Sequence, residues 1–229
     1  MTYVIIIEKA LLNKKIIFFS VVFVVFLLVS SFGIMVWWTT REPIDLGYEE
    51  IREYEGKDLS SIGNFRENSI KGPQYVDNET YRLSIKGLVA NEIEFGYNDI
   101  ISNFQSYKKV VTLTCVEGWR VTILWEGVLV KDLLSETQVS SDANTVIFTA
   151  YDGYSTSLPL DYILNNNILM AYKMNNVTLP PERGFPFQLV AESKWGYKWI
   201  KWITSIELSD NSDYKGFWES RGYKNDADL

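Results

Sequence analysis

The sequence contains one cysteine, Cys115, and no histidine. Cys115 follows the alternating run VVTLT over residues 110–114, which is typical of a strand with one apolar face. Glu117 and Gly118 follow after Val116 and break the strand, so the thiol is predicted to lie where a strand opens into a loop. A thiol in this position is either a metal ligand or a buried apolar residue. The second is the commoner role of a single cysteine.

The lack of histidine removes the commonest acid–base group, the commonest metal ligand and the serine–histidine catalytic triads. A single cysteine also has no partner for an intrachain disulfide. Any chemistry must therefore come from a cofactor, from carboxylates, from tyrosine or from the thiol. With 229 residues, of which 47% are hydrophobic, the chain can bury one full core, so we expect one domain with an appendage.

A cluster of cations near the C-terminal end is a second candidate feature. It consists of Arg183, Lys194, Lys198 and Lys201. Gly184 and Gly196 stand among them and would let backbone N–H groups approach a phosphate closely, so the cluster is a candidate anion site. The alternative is a strand over residues 200–208 whose lysines face water, and composition alone favours that alternative.

The appendage is the N-terminal segment, in which residues 16–38 form an uncharged apolar run. A transmembrane helix needs about 20 apolar residues, so we predict a membrane anchor here. Lysines precede the run and acidic residues follow it. The positive-inside rule therefore places residues 1–15 in the cytoplasm and the following domain on the extracytoplasmic side of the cell membrane. A cleaved signal peptide is the alternative, but its apolar region is usually only about 7–15 residues long.

Residues 39–62 are polar and are predicted to form a stalk, followed by a folded domain over residues 63–229. Three of the 22 lysines and arginines and one of the 29 acidic residues precede residue 39. The rest of the chain therefore has 19 basic and 28 acidic residues, which gives a net charge of −9. An acidic domain of this kind is a poor candidate for nucleic-acid binding, which requires a basic face.

Short strands and helices must position the candidate residues. Strands are predicted around residues 81–86, 110–115, 145–150 and 168–174, and short helices around residues 97–104 and 129–134. Residues 125–128, Trp-Glu-Gly-Val, are predicted to form a tight turn before the second helix. Strands interleaved with short helices, without regular strand–helix alternation, indicate an α+β fold.

Five segments from residue 114 onwards carry a resemblance to a known enzyme family. They are TCVEGW at 114–119, WEGVLVKDLL at 125–134, AYKMNNVTLPPERGFP at 171–186, KWGYKWIKWI at 194–203 and FWESRGY at 217–223. Through these segments, in this order, the chain resembles the molybdopterin-binding oxidoreductases. That family includes sulfite oxidase, plant nitrate reductase and the bacterial methionine-sulfoxide reductase catalytic subunit. The resemblance extends over residues 64–226.

The resemblance implies a mixed-sheet, sulfite-oxidase-type domain that binds the molybdenum–molybdopterin cofactor. Cys115 would supply a thiolate ligand to the molybdenum, since a soft thiolate suits a thiophilic metal. The chain would be an oxidoreductase that transfers an oxygen atom to or from a small sulfite-like or sulfoxide-like substrate. An external electron partner, a cytochrome or a membrane haem subunit, is also implied, because no haem domain accompanies the matching segments.

The resemblance further implies roles for particular residues. Cofactor contacts are implied for Asn68, Thr149, Arg183, Lys194, Lys198 and Lys201, of which the last four would surround the pterin phosphate. Tyr223, five residues after Trp218, would form a hydrogen bond with an oxygen ligand of the metal. Arg120, five residues after Cys115, would bind an anionic substrate.

The sequence departs from the family pattern at two pocket positions. Glu67 precedes Asn68 where a second substrate-binding arginine is expected, and Gln188 replaces a cofactor-binding arginine. The pocket is therefore one cation short for sulfite. A lysine pair before the apolar run also replaces the twin arginine of relatives that are exported with their cofactor. A non-catalytic scaffold module of the same fold, with Cys115 as a core residue, is the alternative function.

Overall fold

The structure, a computed structural model, describes residues 49–229. The predicted cytoplasmic segment 1–15, the predicted membrane anchor 16–38 and residues 39–48 of the predicted stalk lie outside the described residues. No helix within residues 49–229 combines the length and the apolar character needed to cross a membrane.

The described part of the chain is built mainly from short β-strands. In chain order the strands are β1 (Glu53–Tyr54), β2 (Lys57–Asp58), β3 (Arg82–Gly87), β4 (Ile93–Gly96), β5 (Tyr107–Thr114), β6 (Arg120–Leu129), β7 (Thr145–Ala150), β8 (Ser155–Pro159), β9 (Leu169–Met174), β10 (Val177–Thr178), β11 (Gln188–Val190) and β12 (Ile203–Ser209). The helices are α1 (Tyr97–Asn103), α2 (Val130–Ser135) and α3 (Leu160–Asn165), with 3₁₀ turns at Pro181–Arg183, Gly196–Lys198 and Glu219–Arg221.

The strands form two five-stranded sheets and one small hairpin, β1-β2. In the first sheet the order is β4-β3-β12-β7-β8, and β12 runs parallel to β3 while the other pairs are antiparallel. The second sheet has the order β10-β9-β6-β5, with β11 also pairing with β9, and all its described pairs are antiparallel. The predicted mixed-sheet architecture is therefore confirmed, and sheet predominates over helix.

Alternation of apolar and polar residues explains why these strands form. In β3, Leu83 and Ile85 are fully buried while Arg82 and Lys86 are exposed. Strands of both sheets contribute to one apolar core, to which β6 adds Ile123. Each such buried aliphatic side chain contributes about 1.5–3 kcal/mol to stability. The predicted strands at 145–150 and 168–174 are β7 and β9, and the predicted helices are α1 and α2, so these predictions are confirmed to within one or two residues.

The tight turn predicted over residues 125–128 is wrong. β6 continues through these residues to Leu129, pairing with β9 with an irregularity between Glu126 and Gly127. Gly127 is the reason for the error, because a Cβ at this position would lie 2.2 Å from the Met170 backbone oxygen. The glycine therefore permits a close approach of two strands and does not mark a turn.

Residues 50–62 pack onto the domain, which corrects the prediction of a stalk for that part of the chain. Glu50 accepts a hydrogen bond from the Ile62 backbone N–H at 2.9 Å and one from the Asn175 side-chain amide at 2.9 Å. Leu59 and Ile62 are buried, and Ile62 belongs to the apolar core. The segment is polar in composition, but these few buried contacts attach it to the domain.

Candidate active site

A tight turn at the end of β5 holds the thiol of Cys115. The Cys115 N–H donates to the Trp119 carbonyl oxygen at 2.9 Å, and the Gly118 N–H donates to the Cys115 carbonyl oxygen at 3.0 Å. Gly118 has a φ of 91°, in the left-handed region that glycine adopts without a steric cost. The predicted strand break at this point is confirmed. Cys115 is buried, with 6% of its surface exposed.

Asn68 and Glu117 lie beside the thiol. Asn68 Nδ2 is 3.7 Å from Cys115 Sγ and 3.3 Å from Glu117 Oε2. Trp119 Nε1 donates to the same carboxylate oxygen at 3.1 Å, and Arg66 Nη1 lies 3.9 Å from it. One side-chain amide therefore joins the sulfur to a carboxylate. We call Cys115, Asn68, Glu117 and Trp119 the thiol cluster.

The surroundings of Cys115 favour the protonated thiol. Burial raises the pKa of Cys115 above its ordinary value, and the Glu117 carboxylate adds to the rise, whereas turn N–H groups and the Asn68 amide act in the opposite direction. A thiol of this kind is a poor nucleophile near neutral pH. A bound thiophilic metal would deprotonate it. The raised pKa therefore argues against a free nucleophile and is compatible with a metal ligand.

The thiol cluster forms part of the wall of a cavity of about 370 Å³. Cofactor and ligand pockets usually have volumes of roughly 300–1,000 Å³ and combine apolar walls with a few polar groups. The charged residues that line this cavity besides Glu117 are Arg66, Arg183, Lys201, Glu67, Asp152 and Glu182. The cavity thus brings together a buried thiol, cations and carboxylates from segments that are far apart in the sequence.

Arg183 holds the segment that carries Asn68. Its guanidinium donates to the carbonyl oxygens of Ile62 at 2.8 Å, Phe65 at 2.8 Å and Arg66 at 3.4 Å. It also lies 3.8 Å from the centre of the Phe65 ring. Burial lowers the pKa of Arg183 to about 10, so the side chain still carries its charge at neutral pH. Arg183 therefore positions the segment and contributes positive charge to the cavity wall.

Lys201 pairs with Glu67 in the cavity wall. Its amine contacts the Glu67 carboxylate, donates to the Glu182 carbonyl oxygen at 3.3 Å and lies 4.3 Å from the centre of the Trp202 ring. Burial lowers the pKa of Lys201, and the Glu67 carboxylate partly offsets that shift. The chain passes close by at Gly184, where a Cβ would lie 2.9 Å from the Cβ of Lys201. Glu67, which stands where an arginine was expected, therefore neutralises a cavity cation.

Tyr223 reaches the cavity as part of an aromatic group. Its ring centre lies 5.2 Å from those of Trp218 and Tyr197, and all three residues line the cavity. Tyr223 is 39% exposed and Trp218 is 37% exposed, so these rings stand at the border between the cavity and solvent. The structure thus brings the predicted pair, five residues apart in the sequence, to the thiol cavity.

Lys198 does not line this cavity. It is fully buried, and its amine donates to Glu219 Oε1 at 2.5 Å, to the Ser157 carbonyl oxygen at 2.9 Å and to Asn225 Oδ1 at 3.1 Å. Thr156 Oγ1 donates to the same Glu219 oxygen at 2.6 Å. The Lys198 amine therefore connects strand β8, through Ser157, to the segment that carries Tyr223, through Glu219 and Asn225.

Lys194 does not line the cavity either. Its amine donates to the Asp226 carbonyl oxygen at 2.8 Å and pairs with the Asp228 carboxylate. It also lies 4.9 Å from the centre of the Tyr162 ring. Lys194 and Lys198 thus hold the C-terminal segment and lie outside the lining of the thiol cavity.

Thr149 and Arg120 are also absent from the residues that line the cavity. Thr149 lies in β7, where its carbonyl oxygen accepts a hydrogen bond from Thr204 Oγ1 at 3.3 Å. Arg120 begins β6 opposite Thr114 and is exposed. The charged residue that the structure places next to the thiol through Asn68 is Glu117 and not Arg120.

Several cavity residues were not predicted as site residues from the sequence, among them Glu117 and Gln188. Glu117 lies within the TCVEGW segment but was interpreted only as the end of a strand. Gln188 lies in β11, lines the cavity and is 4% exposed. The position of Glu117, two residues after the cysteine at a strand end, was a signal that a carboxylate would lie near the thiol.

A family model described as oxidoreductase molybdopterin binding domain matches residues 70–218. The matched range includes Cys115, Arg183 and Lys201. Asn68 and Tyr223 lie just outside it, so their placement at the cavity comes from the structure. The match covers more than half of the chain.

Curated relatives cover a similar part of the chain. The uncharacterized oxidoreductase YuiH of Bacillus subtilis is 34% identical over 152 residues, which is 66% of this chain and 76% of that protein. YedZ1 of Azospira oryzae, named as a candidate protein-methionine-sulfoxide reductase subunit, is 31% identical over 148 residues, 65% of this chain and 56% of that protein. The match therefore spans about three quarters of the first relative and just over half of the second.

A solved structure has a similar fold. The sulfane dehydrogenase SoxCD from Paracoccus pantotrophus superposes with a TM-score of 0.58 and 21% sequence identity, over 63% of this chain and 41% of that chain. At this level of identity the similarity establishes the fold alone.

Proposed function

The chain belongs to the oxidoreductase molybdopterin binding domain family, and from this premise we propose that it is a membrane-anchored enzyme transferring an oxygen atom to or from a small substrate. The family match confirms the predicted oxidoreductase class and the predicted molybdenum–molybdopterin cofactor. The observation that carries the proposal is the buried thiol of Cys115 in the cavity wall, beside the Asn68 amide.

The residues of the cavity fit the cofactor. Its volume of about 370 Å³ lies in the range of cofactor pockets. The whole sequence has one cysteine and no histidine, so the protein offers one thiolate ligand, and the pterin would supply further sulfur ligands to a thiophilic metal. When bound, the cofactor supplies a two-electron redox centre that exchanges an oxygen atom.

We assign Cys115 as the molybdenum ligand and Asn68, Arg183 and Lys201 as residues that hold the cofactor. The assignment is supported by their positions in one cavity wall. Arg183 donates to neutral backbone carbonyls, so its positive charge is available to a phosphate. Tyr223 is assigned to the reacting side, where its hydroxyl would form a hydrogen bond with an oxygen ligand of the metal.

Thr149, Lys194, Lys198 and Arg120 stay predictions from the resemblance. The contacts of Lys194 and Lys198 with the C-terminal segment support a structural role for both amines. Arg120 is exposed at the start of β6. We therefore do not include these four residues in the proposed active site.

The proposed substrate is a small sulfite-like or sulfoxide-like molecule, and the two cases run in opposite directions. A sulfoxide consumes two electrons and two protons and is converted to a sulfide and water. Sulfite takes its new oxygen from water and releases two electrons and two protons. Either direction requires an external electron partner, which we propose to be a cytochrome or a membrane haem subunit.

We further propose that residues 16–38 anchor the chain, with the N-terminus in the cytoplasm and the catalytic domain on the extracytoplasmic side. The proposal is supported by the length of the apolar run and by the lysines before it and the acids after it. The full chain should stay in the membrane fraction after alkaline carbonate washing. A variant lacking residues 16–38 should be released from it.

Metal analysis of the native protein tests the central proposal. The full chain, purified in detergent from a host that makes the cofactor, should contain about one molybdenum atom per chain. Cys115→Ala should lose redox activity by more than about 100-fold, because a metal ligand is removed. Activity is measured with reduced benzyl viologen for sulfoxides and with ferricyanide for sulfite.

Cys115→Ser is the matched control, since it keeps the size of the side chain and removes only the sulfur. Tryptophan fluorescence should show that both variants are folded. A folded native protein without molybdenum would refute the proposal. A Cys115→Ala protein that is fully active would refute the assigned ligand.

A further inference from the structure

The charges around the cavity indicate which substrates it accepts, an inference that rests on the function proposed above. The lining contains four carboxylates and three cations, which are Glu67, Glu117, Asp152, Glu182, Arg66, Arg183 and Lys201. Lys201 is already paired with Glu67. Arg66 lies 3.9 Å from Glu117 and is more than half exposed to solvent. The described lining thus offers an oxyanion no surplus of positive charge.

Glu117 is the carboxylate that shares a hydrogen-bond donor, the Asn68 amide, with the thiol. Asn68 Nδ2 lies 3.7 Å from the sulfur and 3.3 Å from Glu117 Oε2, so this oxygen is within 7.0 Å of the sulfur. The Trp119 indole N–H fixes the same oxygen at 3.1 Å. A fixed negative charge at this distance repels an anion that approaches the metal position, even though 43% of the Glu117 side chain is exposed.

The proposed cofactor makes this shortage of cations more severe. Its phosphate would bind to Arg183 and Lys201, the two buried cations of the wall. Arg66 would then be the cation left among the described lining residues, and it already faces Glu117. A site that binds sulfite or nitrate needs cations directed at the substrate oxygens.

We propose that Glu117 is a specificity-determining residue that excludes oxyanions, such as sulfite and nitrate, and admits neutral oxides, such as sulfoxides and amine N-oxides. The S–O or N–O bond of a neutral oxide is dipolar, with its positive end on sulfur or nitrogen. Such a molecule has no net charge for the carboxylate to repel. In the reaction the oxide gains two electrons from the electron partner and two protons, its S–O or N–O bond breaks, and the oxygen leaves as water.

Sulfate is the probe for this proposal, because it is an oxyanion that the enzyme cannot oxidise further. Its affinity for the molybdenum-loaded full chain is measured by calorimetry and as inhibition of dimethyl sulfoxide reduction by reduced benzyl viologen. Glu117→Gln should bind sulfate about tenfold more tightly than the native protein, because the repulsion is removed. Its kcat/KM for sulfite, with ferricyanide as acceptor, should rise by a similar factor.

Two further variants separate charge at the site from other effects. Glu207→Gln removes the same charge from an exposed pair with Lys86 outside the cavity and should leave sulfate affinity and basal activity unchanged. Glu117→Asp keeps the charge and should bind sulfate as weakly as the native protein. The proposal is overturned if Glu117→Gln binds sulfate no more tightly than the native protein, or if Glu117→Asp tightens binding equally.

If the proposed enzymatic function itself is wrong, the experiments should give a different result from a failure of the role of Glu117. The native protein would then contain no molybdenum or would turn over neither an oxide nor sulfite. An active, molybdenum-loaded enzyme whose sulfate affinity does not respond to Glu117 would refute the role of Glu117 alone.

Discussion

Four cations that form one cluster in the sequence belong to two different regions of the structure. Arg183 and Lys201 line the cavity beside the thiol cluster, whereas Lys194 and Lys198 hold the C-terminal segment over residues 219–228. All four are largely buried, so burial does not distinguish the two pairs. The segments that they contact do, because Arg183 and Lys201 contact residues 62–67, whereas Lys194 and Lys198 contact residues 219–228.

Arg183 and Lys198 differ in whether the hydrogen-bond partner leaves the charge of the buried cation available to a ligand. Lys198 faces the Glu219 carboxylate, and both side chains are fully buried, so the pair cancels its own charge. Arg183 donates to neutral carbonyl groups, and the nearby Glu67 and Glu182 carboxylates act on its charge without forming an ion pair with it. A cation with neutral hydrogen-bond partners, such as Arg183, can attract a phosphate to the cavity, whereas removing a cation such as Lys198 would leave its carboxylate buried and unpaired.

The largest effect is expected when the buried pair of the C-terminal region is broken. Lys198→Met should lower the free energy of unfolding by about 3–5 kcal/mol, because it leaves the Glu219 carboxylate buried without a counter-charge. The measurement is urea unfolding of the full chain in detergent, followed by tryptophan fluorescence. A loss below about 1 kcal/mol would mean that the pair is not buried as described.

The double variant Lys198→Met with Glu219→Gln is the control for this prediction. It removes both charges, so its loss of stability should be smaller than that of Lys198→Met alone. A loss equal to the total of the two single variants would indicate that the two side chains act independently.

A smaller loss of stability, together with a loss of cofactor, is expected at the cavity wall. Arg183→Lys should lower the free energy of unfolding by about 2 kcal/mol, because the compact ammonium group does not span the three carbonyl groups that the planar guanidinium reaches. Its molybdenum content per chain should also fall. Arg52→Lys is the matched control, since Arg52 donates to one carbonyl group, of Leu59, and its side chain is 54% exposed. If the molybdenum content per chain of Arg183→Lys equals that of the native protein, the proposed role of the cavity wall in holding the cofactor is contradicted.

The smallest change in stability is expected for Lys201 in the cavity wall and for Lys194 in the C-terminal region. These two variants should differ in molybdenum content. Lys201→Gln and Lys194→Gln should each lower the free energy of unfolding by less than about 2 kcal/mol, because the acidic partner of each, Glu67 or Asp228, keeps some contact with water. Lys201→Gln should also lower the molybdenum content, and Lys194→Gln should not, because only Lys201 lines the cavity. Metal analysis of the two variants side by side checks this. Equal molybdenum contents would count against the comparison.

Local patterns were sufficient to predict most of the strands and the strand end that carries the thiol. The alternation around Leu83 and Ile85 and the break at Gly118 depend on neighbouring residues, so they are visible in the sequence. Gly127 was misinterpreted because a glycine that ends a strand and a glycine that admits a neighbouring strand look the same. The stalk was predicted too long because burial of Ile62 depends on contacts with distant segments.

The candidate site was predictable in part. Cys115, Asn68, Arg183, Lys201 and Tyr223 all line the cavity. Glu117 was missed as a site residue because its proximity to the thiol depends on the Asn68 amide, which belongs to another segment. Family patterns indicate which residue types recur, but they do not indicate which partner each side chain takes.

The sequence by itself determined the family, the cofactor class and the position of the only thiol at the end of a strand. These conclusions depend on residue types and spacings within short segments. Only the tertiary structure decided which cations reach the cavity and which carboxylate lies beside the thiol. The deciding contacts join residues that are 47 positions apart for Asn68 and Cys115 and 134 positions apart for Glu67 and Lys201. Such contacts form only when the sheets pack, because no local pattern brings these side chains together.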